Sequence, residues 1–117
     1  MVAPRTQLSV RETGLDGTAV VLTAVGELDI GTSEQLRDAA ARYVGPGARV
    51  TLDLSGVTFC DSTGLAALVG IYKRLAAVDG SLLLRNPVPR ARNLLTVTGL
   101  NRVLTIEDAG GEAVTDS

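Results

Sequence analysis

Along this chain the spacing of apolar residues switches between every second position and every third or fourth, which confines it to an alternating α/β fold. Gln7 to Glu12 sets Leu8 and Val10 against Gln7, Ser9 and Arg11. After the Asp16-Gly17 turn signal, Thr18 to Val25 is apolar in both phases, the pattern of a central strand covered on both faces. A loop through Gly26 to Gly31 follows. Thr32 and Gln35 then match a capping box, and Leu36, Ala39, Ala40, Tyr43 and Val44 recur at helical spacing until Gly45-Pro46-Gly47. Arg49 to Leu54 alternates again, Ser55 to Cys60 reads as a loop, and a helix begins near Asp61 or Ser62 with a stripe of Leu65, Leu68, Val69, Tyr72, Leu75 and Ala76. Asp79-Gly80 ends it. Ser81 to Arg85 is a fourth strand, Pro87 or Pro89 opens a helix that stops at Gly99, Leu100 is placed to pack back on Leu95, and Arg102 to Glu107 is a short last strand. A hairpin followed by strand–helix alternation predicts a mixed sheet of four to five strands packed with about four helices, with layers above and below the central strand. The expected core runs from about residue 7 to 107, and 108–117 reads as a frayed acidic tail.

Composition narrows the chemistry. Hydrophobic residues make up 45% of 117, and the aromatic ones are only Tyr43, Phe59 and Tyr72, so the interior of this one domain is aliphatic. There is no histidine, which removes a Ser-His-Asp triad, a Cys-His pair, a His-ligated zinc and a phosphohistidine relay. The one lysine, Lys73, follows Tyr72 and so belongs to no phosphate-binding Gly-Lys-Ser/Thr loop. A single cysteine, Cys60, makes neither an internal disulfide nor a multi-thiolate metal site, and the Met1 to Thr6 start lacks the order of a secretory signal. These features point to a cytoplasmic protein with no metal, no cofactor and no membrane span. The net charge is -2, with Glu107, Asp108, Glu112 and Asp116 gathered at the end, so the body is near neutral and suited to protein partners rather than nucleic acid.

The informative stretch is Asp53-Leu54 followed by Ser55 to Cys60 and then Asp61-Ser62-Thr63-Gly64-Leu65. A serine in the first turn of a helix, fed by a strand, presents its hydroxyl at the rim. A phosphate there would meet free backbone N–H groups and the positive end of the helix dipole. The simpler role for Asp61 or Ser62 is helix capping, and a capping serine is also an accessible one. Gly64 leaves room for another backbone to approach.

With Gly26-Glu27-Leu28-Asp29 upstream and Leu95-Thr96-Val97-Thr98-Gly99-Leu100 downstream, these residues resemble the STAS family, and within it bacterial anti-sigma factor antagonists. The resemblance covers about Gln7 to Glu107. It implies that Ser62 is phosphorylated by an anti-sigma factor that is itself an ATP-dependent serine kinase, and dephosphorylated by a PP2C-type phosphatase. The unphosphorylated form would sequester the anti-sigma factor and free a sigma factor for RNA polymerase. It also implies a partner surface of Asp29, Asp61, Ser62, Thr63 and Gly64, with no catalytic residue. For Asp29 the residues equally allow a turn or pre-helix acid.

Two features depart from the family. Cys60 stands where many relatives carry a larger aliphatic residue, and the acidic end puts a C-terminal helix in doubt. The residues leave two rival functions: a STAS subunit of a stressosome-like scaffold or membrane transport complex, and a small enzyme using Ser62 or Cys60 as nucleophile. Against the enzyme stand the missing histidine and, for a Cys-x5-Arg phosphatase, Ala66 where arginine is required. Arg85, Arg90, Arg92 and Arg102 form the one basic run, read as a solvated face rather than a nucleic-acid patch because no aromatic accompanies them.

Overall fold

The computed structural model describes residues 8–108. Strand β1 (Leu8–Asp16) turns through Gly17 into β2 (Ala19–Leu28), and α1 (Ser33–Ala41), β3 (Arg49–Cys60), α2 (Ser62–Ala76), β4 (Ser81–Arg85), α3 (Pro89–Thr98), a 3-10 turn (Leu100–Arg102) and β5 (Thr105–Glu107) follow. The five strands lie in sequence order, with β1–β2 antiparallel and the other three pairings parallel. The mixed α/β sheet expected from the sequence is present, and among the described residues three α-helices and one 3-10 turn accompany it where about four helices are expected. The expected tail lies outside the described residues except for Asp108, as does any C-terminal helix after it.

The sheet is layered on one side, not on both. Crossovers that always step to the next strand in the same direction deposit their helices on a single face when each keeps the usual right hand of such connections. Burial agrees: Val20, Leu22 and Ala24, Val50, Leu52 and Leu54, and Leu82 and Leu84 are buried, while Val21, Thr23, Thr51, Asp53 and Leu83 are only half-buried. Val25 is 51% exposed. The two-phase apolar run in β2 misled because valine, alanine and threonine suit a strand whether or not its second face is covered. Leu36 from α1, Leu68, Ile71 and Leu75 from α2, and Leu95 from α3 complete an aliphatic core beneath the covered face.

Three local expectations change, and each change bears on the site. First, Gly26 to Leu28 and Ser55 to Cys60 are not loops: β2 and β3 run on together, pairing Gly26 with Val57 and Leu28 with Cys60. Irregular register between Thr23 and Val25 and between Gly26 and Glu27 hides this pairing from any simple alternation. Second, the capping box does not form. The Thr32 side chain caps nothing, and Gln35 Nε2 instead donates to the Leu8 carbonyl at 2.5 Å, tying α1 to the first strand. Third, α1 ends at Ala41, so Tyr43 and Val44 pack on the core from beyond the helix. Pro89 rather than Pro87 opens α3, Gly99 closes it with φ at 80°, and Leu100 packs against the core as expected.

Candidate functional site

The paired ends of β2 and β3 bring two chain reversals into contact. Beyond Leu28 lies the Asp29 turn; beyond Cys60 lies the start of α2, and the Asp61 N–H donates to the Leu28 carbonyl at 3.3 Å. Gly64 faces the same carbonyl. A Cβ there would lie 2.7 Å from the Leu28 oxygen, 2.8 Å from Leu28 Cγ and 3.1 Å from Cys60 Sγ. The backbone for which Gly64 leaves room is therefore the chain's own.

Asp61 is the N-cap of α2, in an extended conformation with φ at -113° and ψ at -170°. One oxygen, Oδ1, accepts from Thr63 N and Gly64 N, each at 3.0 Å, and from the Thr63 hydroxyl at 2.6 Å. The first-turn N–H groups expected to be free for a phosphate are thus already occupied at Thr63 and Gly64. The Thr63 hydroxyl, and with it the N–H groups of Gly64 and Thr63, hold the Asp61 carboxyl below its ordinary range, outweighing the upward push of desolvation. Ser62, between these residues, is exposed, and no group among the described residues shares a hydrogen bond with its hydroxyl. Of the two adjacent hydroxyls, one is held and the other is free.

The cap makes a prediction about stability. Because the folded-state pKa of Asp61 is lowered, its contribution is present above the unfolded-state value and is lost as pH falls through the folded one. Asp61→Ala is expected to cost about 0.5–2 kcal/mol at neutral pH. Urea unfolding of both proteins at neutral and acid pH checks this: the gap should close in acid, and a constant gap would contradict the cap.

Asp29 is 8% exposed. Its Oδ1 accepts from Gly31 N at 2.9 Å, and its carbonyl accepts from Ser33 N at 2.8 Å. Thr32 accepts from Asp29 N at 3.0 Å and donates to the Glu27 carbonyl at 2.7 Å, closing the turn from within. The spacing of Thr32 and Gln35 fits a capping box, and that local fit hides this role. No local signal singles out Ile30, the residue that this turn holds out in water at 80% exposure.

Cys60 is 6% exposed, and burial, reinforced by the Asp61 carboxylate, pushes its thiol up to about 11. A buried thiol that stays protonated at neutral pH is a small hydrophobe and not a nucleophile. Two members of the basic run are paired with acids: Arg85 on β4 with Glu107 at 3.3 Å, and Arg92 on α3 with Asp108. Among the described residues no cluster of three acidic or sulfur ligands could hold a metal ion, and no helix is long and apolar enough to cross a membrane.

The model of the STAS domain matches residues 9–113. The chain belongs to the STAS domain family. It is 32% identical over 98 residues to the anti-sigma-B factor antagonist of Listeria monocytogenes, covering 83% of this chain and 86% of that one. Among solved structures, the unphosphorylated form of the anti-sigma factor antagonist SpoIIAA superposes with a TM-score of 0.70 at 27% identity, covering 84% and 87% of the two chains. The phosphorylated form of SpoIIAA, described as a Bacillus cell fate determinant, gives 0.65 at 25% identity over 84% and 90%. This STAS chain thus shares its fold with an antagonist that has been solved both with and without phosphate.

Proposed function

We propose that this STAS domain is an anti-sigma factor antagonist controlled by phosphorylation of Ser62. The observation that carries the reading is the free, exposed Ser62 hydroxyl at the start of a helix whose other first-turn groups Asp61 already holds. The likeness to named antagonists, one solved in a phosphorylated form, supports it. The unphosphorylated protein binds an anti-sigma factor and so releases a sigma factor. The anti-sigma factor, a serine kinase, then transfers the γ-phosphoryl group of ATP to Ser62 Oγ, ADP leaves, and the serine proton passes to a base on the kinase. A PP2C-type phosphatase restores the hydroxyl. The protein acts in the cytoplasm as one domain spanning 1–117, with no catalysis or cofactor of its own and without touching nucleic acid or membrane.

Asp61, Ser62 and Thr63 form the centre of the partner surface; Gly64, expected there, is buried against the Leu28 carbonyl and seats the helix start, and Asp29 shapes the neighbouring turn. A phosphate on Ser62 adds a charge of about -1.5 to -2 next to the Asp61 carboxylate. The amides that would neutralise it are shared with that carboxylate, so the added charge faces outward, toward the partner. Release follows from repulsion and desolvation at the interface, with no refolding of the domain.

Incubation with ATP and each anti-sigma-type kinase of the source genome, followed by intact-mass and peptide mapping, tests the proposal. One phosphate at Ser62, absent in Ser62→Ala, is the expected result. A folded domain that no such kinase modifies would overturn it in favour of a scaffold or transport-complex subunit.

A further inference from the structure

The sheet keeps one face that no helix among the described residues covers, and strand register fixes what lies on it. Paired residues point the same way, so the half-buried Val21, Thr51 and Leu83 form one neutral row across β2, β3 and β4. Two residues along β3, toward the Ser62 end, the next row on this face reads Arg11, Thr23, Asp53, Arg85 and Glu107 across all five strands. Two residues back, the row reads Asp16, Ala19, Arg49 and Ser81 across β1 to β4.

The neutral row is therefore flanked by charges in opposite order. On β3 the acid, Asp53, lies above it and the base, Arg49, below; on β1 the base, Arg11, lies above and the acid, Asp16, below. Arg11, Asp16 and Arg49 are exposed, Asp53 is half-buried, and none of the four enters an ion pair among the described residues.

We propose that a second copy of this chain packs on this face about a two-fold axis that runs along the neutral row, across the strands. That axis lays each strand antiparallel on its own counterpart and exchanges the two flanking rows. Asp53 then faces Arg49 of the second copy, Arg11 faces its Asp16, and the symmetry doubles both contacts. Arg85, already matched by Glu107 at 3.3 Å, meets the neutral Ser81 of the second copy. A two-fold axis along β3 instead would set Asp53 against Asp53, so the charges reject it. Val21, Thr51 and Leu83 meet their counterparts at the axis, which gives the apolar contact between two aligned sheets crossing at about 30°. A surface whose charges invert under its own two-fold axis fits itself better than it fits a partner of either sign. Helix α2 packs on the covered face, so Ser62 stays outside this interface, and the inference does not depend on the partner-switching reading.

Sedimentation equilibrium of the 117-residue chain from micromolar to millimolar concentration tests this, with wild type, Arg49→Asp, Asp53→Lys and Thr51→Lys compared and the thermal unfolding of each recorded. Wild type is expected to dimerise, more weakly as salt rises. Arg49→Asp and Asp53→Lys each set like charges face to face twice, and Thr51→Lys brings two lysines together at the axis, so each is expected to dimerise at least about tenfold more weakly. Mixed in equal amounts, Arg49→Asp and Asp53→Lys regain both attractions and are expected to dimerise as wild type does, a rescue that a role confined to the monomer would not give. Asp53 Oδ1 accepts from Ser55 N at 2.9 Å; if Asp53→Lys fails to fold for want of that bond, Arg49→Asp and Thr51→Lys carry the test. A wild type that stays monomeric at millimolar concentration would overturn the inference and leave the face to an occupant of another kind. So would folded variants that dimerise within about twofold of wild type, or a mixture of folded charge variants that dimerises no better than either alone.

Discussion

Ser62→Ala is expected to hold its anti-sigma factor whether or not ATP is present, and Ser62→Asp to hold it at least about tenfold more weakly. The size of the effect follows from where the hydroxyl lies. It is exposed and has no hydrogen-bond partner among the described residues, so removing it breaks no bond among them and abolishes the acceptor whose phosphorylation ends the complex. An aspartate at the first position of α2 is compatible with the helix dipole but stands beside Asp61, adding a second negative charge to the surface that meets the partner. Each tenfold loss corresponds to about 1.4 kcal/mol, so a modest desolvation penalty suffices. Dissociation rates by surface plasmon resonance with and without ATP, alongside thermal unfolding, measure both variants. If Ser62→Asp binds as well as Ser62→Ala, charge at this position is not what switches the partner.

Gly64→Ala is the substitution expected to damage the domain itself. Its methyl would enter a space 2.7 Å from the Leu28 carbonyl oxygen and 2.8 Å from Leu28 Cγ. A strand carbonyl cannot swing aside as the tip of a flexible side chain can. Overpacking of this kind costs about 1–3 kcal/mol, or a fall in Tm of roughly 5 to 20 °C for a domain of this size. The strain is relieved only by parting the end of β2 from the start of α2, which also displaces the Asp29 turn. Calorimetry gives the Tm, and titration with the anti-sigma factor should show weaker binding by the fraction that still folds. A Tm within about 2 °C of wild type would show that the junction yields freely.

Much of this was legible in local chemistry. The change from a period of two to a period of about 3.6, with punctuation at Asp16-Gly17, Gly45-Pro46-Gly47, Asp79-Gly80 and Gly99, is a property of neighbouring residues, and the elements follow from it. Asp61-Ser62 before an apolar helical stripe marks a capped helix start with an accessible hydroxyl, and the structure assigns the cap to Asp61 and leaves the hydroxyl of Ser62 exposed. Thr32 with Gln35 had the same local appearance and a different outcome, because Gln35 found the Leu8 carbonyl, 27 residues away, a more accessible partner than its own helix end.

What the chain determined by itself was its alternation of strands and helices, its aliphatic core and the placement of a serine at the start of a helix. All of these depend on residues within a few positions of one another. Tertiary structure decided the rest. It zipped Leu28 to Cys60 so that two turns distant in sequence share one edge, left one sheet face half-open, and spent the first-turn amides on Asp61. Strand register, crossover direction and hydrogen-bond competition are settled by groups that meet only when the chain folds, and no local pattern contains them.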